Sequence, residues 1–154
     1  MSAQPITRQD ILRQVIQSCQ VCSLAMADEN CIPYVLPFNF GTDGQYIWFH
    51  SAMTGRKIDI LKQNPTVCVI FSNDFELGHR HENVACSYFM KYKSVMINGN
   101  VEFVEDSELK KMGMNIIMKH YTGKDDFLYN TPAINNVMVF RLKLDDISGR
   151  SYGY

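Results

Sequence analysis

The sequence has no excess of charge of either sign: 15 basic and 16 acidic side chains leave a formal net charge of −1 over 154 residues. That is poor footing for nucleic acid, where a basic face supplies the affinity, and for docking on anionic lipid. Long hydrophobic runs are missing too, so no transmembrane segment is expected. The start, residues 1–11, lacks a basic stretch followed by an apolar one, so no secretory leader is expected. Cysteine is sparse and odd in number, five in all, with no regular spacing. This fits a reduced, cytoplasmic protein rather than a disulfide scaffold. Repeats and low-complexity tracts are absent. What remains is a chain with 46% apolar residues, too apolar for disorder. Its length suits one compact domain, residues 1–154, able to bury a substantial core. The nine methionines need no role beyond filling irregular gaps in that core.

The apolar pattern alternates between helical and strand periods. Residues 7–18 predict a helix, with Thr7 and Asp10 as a weak capping box and Ile11, Leu12, Val15 and Ile16 on one face. Strands are expected over 21–27, 34–40 and 46–50, separated by an Asp-Glu-Asn turn at 28–30 and a hairpin loop at 41–44. A short helix over 55–63 follows, capped by Thr54, with Ile58 and Leu61 inward and Pro65 after its end. A strand at 67–71 leads into a polar loop at 73–83. Residues 85–104 read as one bent strand or two, with Gly99 as a candidate bulge. A third helix covers 107–121, capped by Ser107, with Leu109, Met112, Ile116 and His120 at helical spacing and Gly123 as its stop. Residues 136–144 form the last strand. About six short antiparallel strands with helices outside indicate a mainly β (α+β) fold, a small closed barrel. Side chains fill such a barrel, so a ligand belongs on its outside or at a subunit contact.

The stretch His50-Ser51-Ala52-Met53-Thr54-Gly55-Arg56-Lys57 runs from a strand into the first turn of a helix. Helix N-termini carry partial positive charge and free N–H groups, so two basic residues there oppose the dipole. An anion resolves the conflict: hydroxyls, backbone amides and two cations then converge on one phosphate. The spacing is neither a P-loop nor a dinucleotide fingerprint, and it suits a monophosphate. The simpler alternative is that Arg56 and Lys57 are a solvated face. Upstream, Pro37 sits inside a strand pattern, which points to an edge or bulge with backbone groups free for a polar-edged ring. On these residues alone an ordinary edge strand is the preferred reading.

Tyr34-x-x-Pro37-x-Asn39, then Phe49-His50-Ser51-Ala52-x-x-Gly55-Arg56-Lys57, then Leu61-x-x-Asn64-Pro65-x-Val67-Cys68 form a pattern. Cys86-Ser87, Tyr92-Lys93-Ser94-Val95, Gly99 and Glu108 extend it. The pattern resembles the nitroimidazole-resistance (Nim-type) group of pyridoxamine-phosphate-oxidase-like, FMN-binding split barrels, over residues 21–150. The resemblance implies a six-stranded antiparallel split β-barrel with flanking helices, a homodimer, and two FMN sites at its interface. By analogy Arg56, Lys57 and Ser51 hold the FMN phosphate behind Gly55. Backbone groups of Val35, Leu36, Pro37 and Phe38 border the isoalloxazine, with Asn39 nearby. His50 and Ala52 lie close to the ring or ribityl chain, and Tyr92 and Ser94 contribute from a neighbouring strand or the other subunit. The arginine, leucine pair and lysine of true pyridoxamine-phosphate oxidases are missing, since that place reads Tyr34-Val35-Leu36-Pro37. Vitamin B6 oxidation is therefore not expected.

The expected activity is FMN-dependent reduction of a small molecule such as a nitroaromatic, with NAD(P)H or another reductant as donor and His50 as the proton-handling group. The alternatives are a flavin carrier or sensor without turnover, or a related barrel holding haem or deazaflavin. No metal site is expected. Cys19 and Cys22 have C-x-x-C spacing but no second pair, and burial at a helix–strand junction explains them. His79, His81 and Glu82 are metal-ligand types in a stretch read as a solvated loop. His120 reads as a structural histidine. Tyr46 and Trp48 share a strand face and pack either the barrel or a dimer contact.

Overall fold

The computed structural model describes residues 2–154. In chain order the elements are β1 (Gln4–Pro5), α1 (Gln9–Ser18), β2 (Cys22–Ala27), β3 (Pro33–Phe38), β4 (Gly41–Thr42), β5 (Tyr46–Ala52) and α2 (Arg56–Gln63). There follow β6 (Thr66–His79), a 3₁₀ turn (Ala85–Ser87), β7 (Tyr88–Val104), α3 (Ser107–Thr122), α4 (Thr131–Asn135), β8 (Val137–Lys143) and β9 (Asp146–Tyr152). All pairings are antiparallel, in the order β3-β2-β6-β7-β8-β5-β4, with β9 beside β7 and carrying β1. The result is a mainly β split barrel with flanking helices, as the sequence implied.

One strand holds the two halves together. Tyr92–Asn98 of β7 pair with β9, and Val101–Val104 pair with β8. Gly99 lies at the changeover and pairs regularly with Val67, so it is not a bulge. A Cβ there would lie 3.0 Å from Leu142 Cδ1, so close approach explains the glycine. The bulge falls on β6 instead, between Asn73 and Glu76, where Asp74 adopts φ 55°. Leu24, Phe49, Phe71, Val95, Ile97 and Phe140 fill the barrel. Leu12, Val15 and Ile16 of α1 and Ile58 and Leu61 of α2 seal it. Trp48, Val104, Ile117 and Val139 make a smaller cluster under α3. A Cβ at Gly113 would lie 2.5 Å from the Trp48 ring.

Several expectations need correction. Helix α1 starts at Gln9, and Thr7 does not cap it; Asp10 pairs with Arg8 instead. No side chain caps α2, so Thr54 has no such role. Asp106, not Ser107, caps α3, its carboxylate accepting from Leu109 N. The inner face of α3 is Lys110, Gly113 and Ile117, while Met112 is exposed; a polar residue and a glycine there hid the true stripe. The stretch 73–83 is not a loop throughout, because β6 continues to His79 after its bulge. The last strand is β9, whose Asp-Ile-Ser-Gly-Arg-Ser-Tyr run is too polar to read as one.

Candidate functional site

Helix α2 opens on Gly55 at φ 123° and ψ 165°, a conformation open essentially only to glycine. The first helical hydrogen bonds come from Ile58 N and Asp59 N to Gly55 O, at 2.9 and 3.1 Å. The amides of Arg56 and Lys57 therefore precede the ladder and have no intrahelical acceptor. Among the described residues neither side chain forms an ion pair. Both lean on aromatics of β3 instead. The Arg56 guanidinium stands 4.4 Å from the Tyr34 ring centre and Lys57 Nζ 5.7 Å from that of Phe38. Two cations are thus held at the mouth of one helix without an ion-pair partner, although Asp59 shares the first turn; basic groups there oppose the helix dipole, and an anion would relieve that.

The strand that feeds this mouth adds a second unmet demand. Ser51 is 7% exposed, and its Oγ is buried without a hydrogen-bond partner. An unpartnered buried hydroxyl costs about 1–3 kcal/mol. Strand alternation sends Phe49 and Ser51 to one face of β5, and Trp48, His50 and Ala52 to the other. His50 pairs in register with Val139, which belongs to the cluster under α3. Burial and the nearby Lys57 cation push the His50 pKa below its ordinary value. The imidazole is therefore neutral at pH 7, with one nitrogen donating and the other accepting.

Strand β3 pairs with β2 alone, Ser23 opposite Pro37 and Ala25 opposite Val35. Its outer edge is therefore free, and Pro37 stands where an edge tolerates it. Val35, Pro37 and Asn39 are exposed and Leu36 is half-buried. The Phe38 ring belongs to the core, edge-on to Phe49 and Phe140 at 5.7 and 5.8 Å. Only the backbone of Phe38 remains for a ligand. The structure thus brings Arg56 and Lys57, behind Gly55, against the aromatic rings of β3, while Ser51 stands near the end of the strand leading to them with its hydroxyl buried. It does not bring Tyr92 and Ser94 to them within one chain. Those two lie on β7, three strands from β3 and hence roughly 14 Å away at ordinary strand spacing.

The other candidates resolve into structure. Cys19 and Cys22 are buried and donate to Ser72 O and Phe38 O; burial pushes the Cys22 thiol up to about 12, leaving it unreactive. His120 Nε2 donates to Cys19 O at 2.8 Å, and its ring packs on Phe40. Trp48 packs under α3 and donates to Asp43 Oδ2, while Arg141 covers Tyr46 and Trp48 from outside. Among the described residues no three His, Cys, Asp or Glu side chains converge as metal ligands. A cleft of about 600 Å³ lies elsewhere, between Arg13 and Gln17 of α1, Asn115 and Lys119 of α3, and Asp43. Its polar groups are largely spoken for. Asp43 accepts from Gln45, Tyr46 and Trp48, Lys119 pairs with Asp125, and Asn115 bonds Phe127 O and Tyr129. Geometry with unmet demand is found at the α2 mouth.

The pyridoxamine 5'-phosphate oxidase family profile matches residues 8–151. The chain belongs to that family. A solved structure from Bacteroides thetaiotaomicron, named for 5-nitroimidazole antibiotic resistance, is 37% identical over 97% of this chain and 87% of its own, with a TM-score of 0.88. A FAD-binding protein of Mesorhizobium loti, 22% identical, covers 99% of this chain and 100% of its own at TM-score 0.69. A FAD- and haem-binding protein of Mycobacterium smegmatis is 14% identical over 97% and 74%, at TM-score 0.84. These last two speak for the fold alone. No curated protein matches the chain. No helix among the described residues is long and apolar enough to cross a membrane.

Proposed function

We propose that this family member is an FMN-binding flavoprotein that reduces a small planar molecule of the nitroaromatic class, nitroimidazoles included. The observation that carries the reading is the α2 mouth: two unpaired cations, uncapped amides and the orphaned Ser51 hydroxyl, a donor set made for one phosphate. The relative named for 5-nitroimidazole resistance supports the substrate class. When bound, FMN supplies reversible two-electron chemistry.

The protein's share is binding, orientation and proton handling. Arg56, Lys57, Ser51 and the first-turn amides anchor the phosphate. Free backbone groups along Val35–Phe38 meet the polar edge of the ring, and Pro37, with no N–H, removes one donor from that edge. Neutral His50 gives or takes a proton near the reacting atoms without adding a fixed charge. NAD(P)H is the donor in this reading.

The outer face of the β3-β2-β6-β7 sheet supports a homodimer. Val35, Ile70 and Met96 are exposed on it at 61%, 37% and 40%. In register they share that face with Ala25, Ser23 and Cys68. Five free cysteines fit a reducing, cytoplasmic setting. The test is anaerobic reduction of the purified protein with NAD(P)H, followed by a nitroimidazole. The reading expects the flavin to bleach and recover as the nitro group is lost. Neither change would remove the enzyme and leave a flavin carrier.

A further inference from the structure

Among the described residues, the cations that lie over aromatic rings are of two kinds. Lys91 and Lys93 face Tyr154, and each also pairs with a carboxylate, Glu76 and Asp74 respectively. Arg141 covers Tyr46 and Trp48 and pairs with Glu102. Arg56 over Tyr34 and Lys57 over Phe38 have the ring without the carboxylate. The two exceptions are the two basic residues of the α2 mouth.

The rings come from one strand face. Alternation along β3 puts Tyr34, Leu36 and Phe38 on the side toward the barrel, opposite exposed Val35 and Pro37. Their partners in register on β2, Met26, Leu24 and Cys22, are all buried. Tyr34 is half-buried and packs against the core cluster. The core therefore fixes the ring, and the ring presents a surface to Arg56, whose Cζ stands 4.4 Å from its centre. Phe38 is part of the core itself, edge-on to Phe49 and Phe140. Tyr34 is thus the ring of the pair that can be altered without emptying the barrel.

A ring and a carboxylate hold a cation in different ways. A carboxylate takes the N–H donors of a guanidinium and cancels its charge. A ring face attracts the cation through its quadrupole, and leaves the charge and the donors at the guanidinium edge for another acceptor. The ring also restricts a long side chain. A free arginine gives up much rotamer freedom when a ligand fixes it, whereas a ring-held one has given it up on folding. An arginine kept in place and still charged is suited to an anion that comes and goes. The phenol hydroxyl has no part in this, so the ring alone should suffice.

We propose that Tyr34 is a positioning residue of the α2 mouth: its ring holds the Arg56 guanidinium ready for a phosphate monoester and so sets the preference for a phosphorylated over an unphosphorylated flavin. The inference rests on the FMN reading above. The test is the affinity for FMN and for riboflavin, by flavin-fluorescence titration of the flavin-stripped chain, in wild type, Y34F, Y34L, R56A and Y34L/R56A. Wild type and Y34F should prefer FMN alike. Y34L should lower that preference about five- to thirtyfold, by weakening FMN and not riboflavin. In the R56A background Y34L should change neither affinity, because the ring acts through Arg56. A wild type with no preference for FMN overturns the phosphate reading and this inference with it. A wild type that prefers FMN can still overturn Tyr34 alone. That happens if Y34L keeps the preference, weakens both flavins equally, or weakens FMN as much without Arg56. Nuclear magnetic resonance of the flavin-free wild type decides the matter even if Y34L misfolds. The Arg56 Nε–H proton, assigned by its loss in R56A, should be shifted upfield by the ring, and a signal at the free-arginine position overturns the contact.

Discussion

Replacing Ser51 by alanine should move stability and flavin binding in opposite directions. In the flavin-free chain the Ser51 hydroxyl is buried without a partner. Removing it relieves a desolvation penalty of about 1–3 kcal/mol. For a domain of this size each kcal/mol corresponds to about 2–4 °C in Tm, so the flavin-stripped variant should melt several degrees above wild type. With FMN bound, the same hydroxyl serves the phosphate through a charge-assisted hydrogen bond worth roughly 1.5–3 kcal/mol. Its loss should weaken FMN binding about ten- to a hundredfold. Circular dichroism melts of stripped protein and flavin-fluorescence titrations read the two quantities separately. A variant less stable than wild type when stripped, or one that binds FMN as tightly, would refute the reasoning, because the hydroxyl would then have its partner elsewhere.

The double substitution R56A/K57A should cost FMN about 3–6 kcal/mol, from two charge-assisted contacts. Riboflavin, which lacks the phosphate, should bind both proteins alike; equal losses for the two flavins would reject the phosphate site. His50 has a folded-state pKa below its ordinary value, so its neutral form is the one folding favours. Its contribution to stability should be present above about pH 6.5, the unfolded value, and fade as pH falls through the lower folded pKa. Urea titrations of wild type and H50Q across that window should lose this slope only in the variant. H50Q should also slow flavin reduction or acceptor turnover more than it weakens FMN retention, as stopped-flow and titration data would show. D106A should destabilise the chain by about 1 kcal/mol through loss of the α3 cap, while S107A stays near neutral in the same denaturation assay.

Local chemistry decided what could be read in advance. The α2 mouth was legible because it breaks a rule: basic residues where the helix dipole disfavours them, behind a glycine that the backbone requires. Pro37 marked β3 as an edge for a similar reason, since a ladder position needs an N–H that proline lacks. The orphaned Ser51 hydroxyl was beyond reach, because alternation depends on where a strand's faces point and the neighbours that bury it come from distant segments. The α3 face was misread because its inward residues are Lys110, whose Nζ donates to Val137 O, and Gly113, which makes room for Trp48. Neither carries an apolar signal. The end of β6 was read as a loop because a bulge between Asn73 and Glu76 resets the register, and pairing beyond it is set by β7 rather than by the segment's own composition. Strand β9 escaped because it is half-exposed and polar, held by the β7 backbone rather than by a hydrophobic stripe.

The absorbance spectrum of the protein as purified tests the central claim most directly. Two broad bands in the near-ultraviolet and blue, with FMN as the flavin released on denaturation, are the result this account predicts. A Soret band, or a colourless protein that takes up no added FMN, would contradict it.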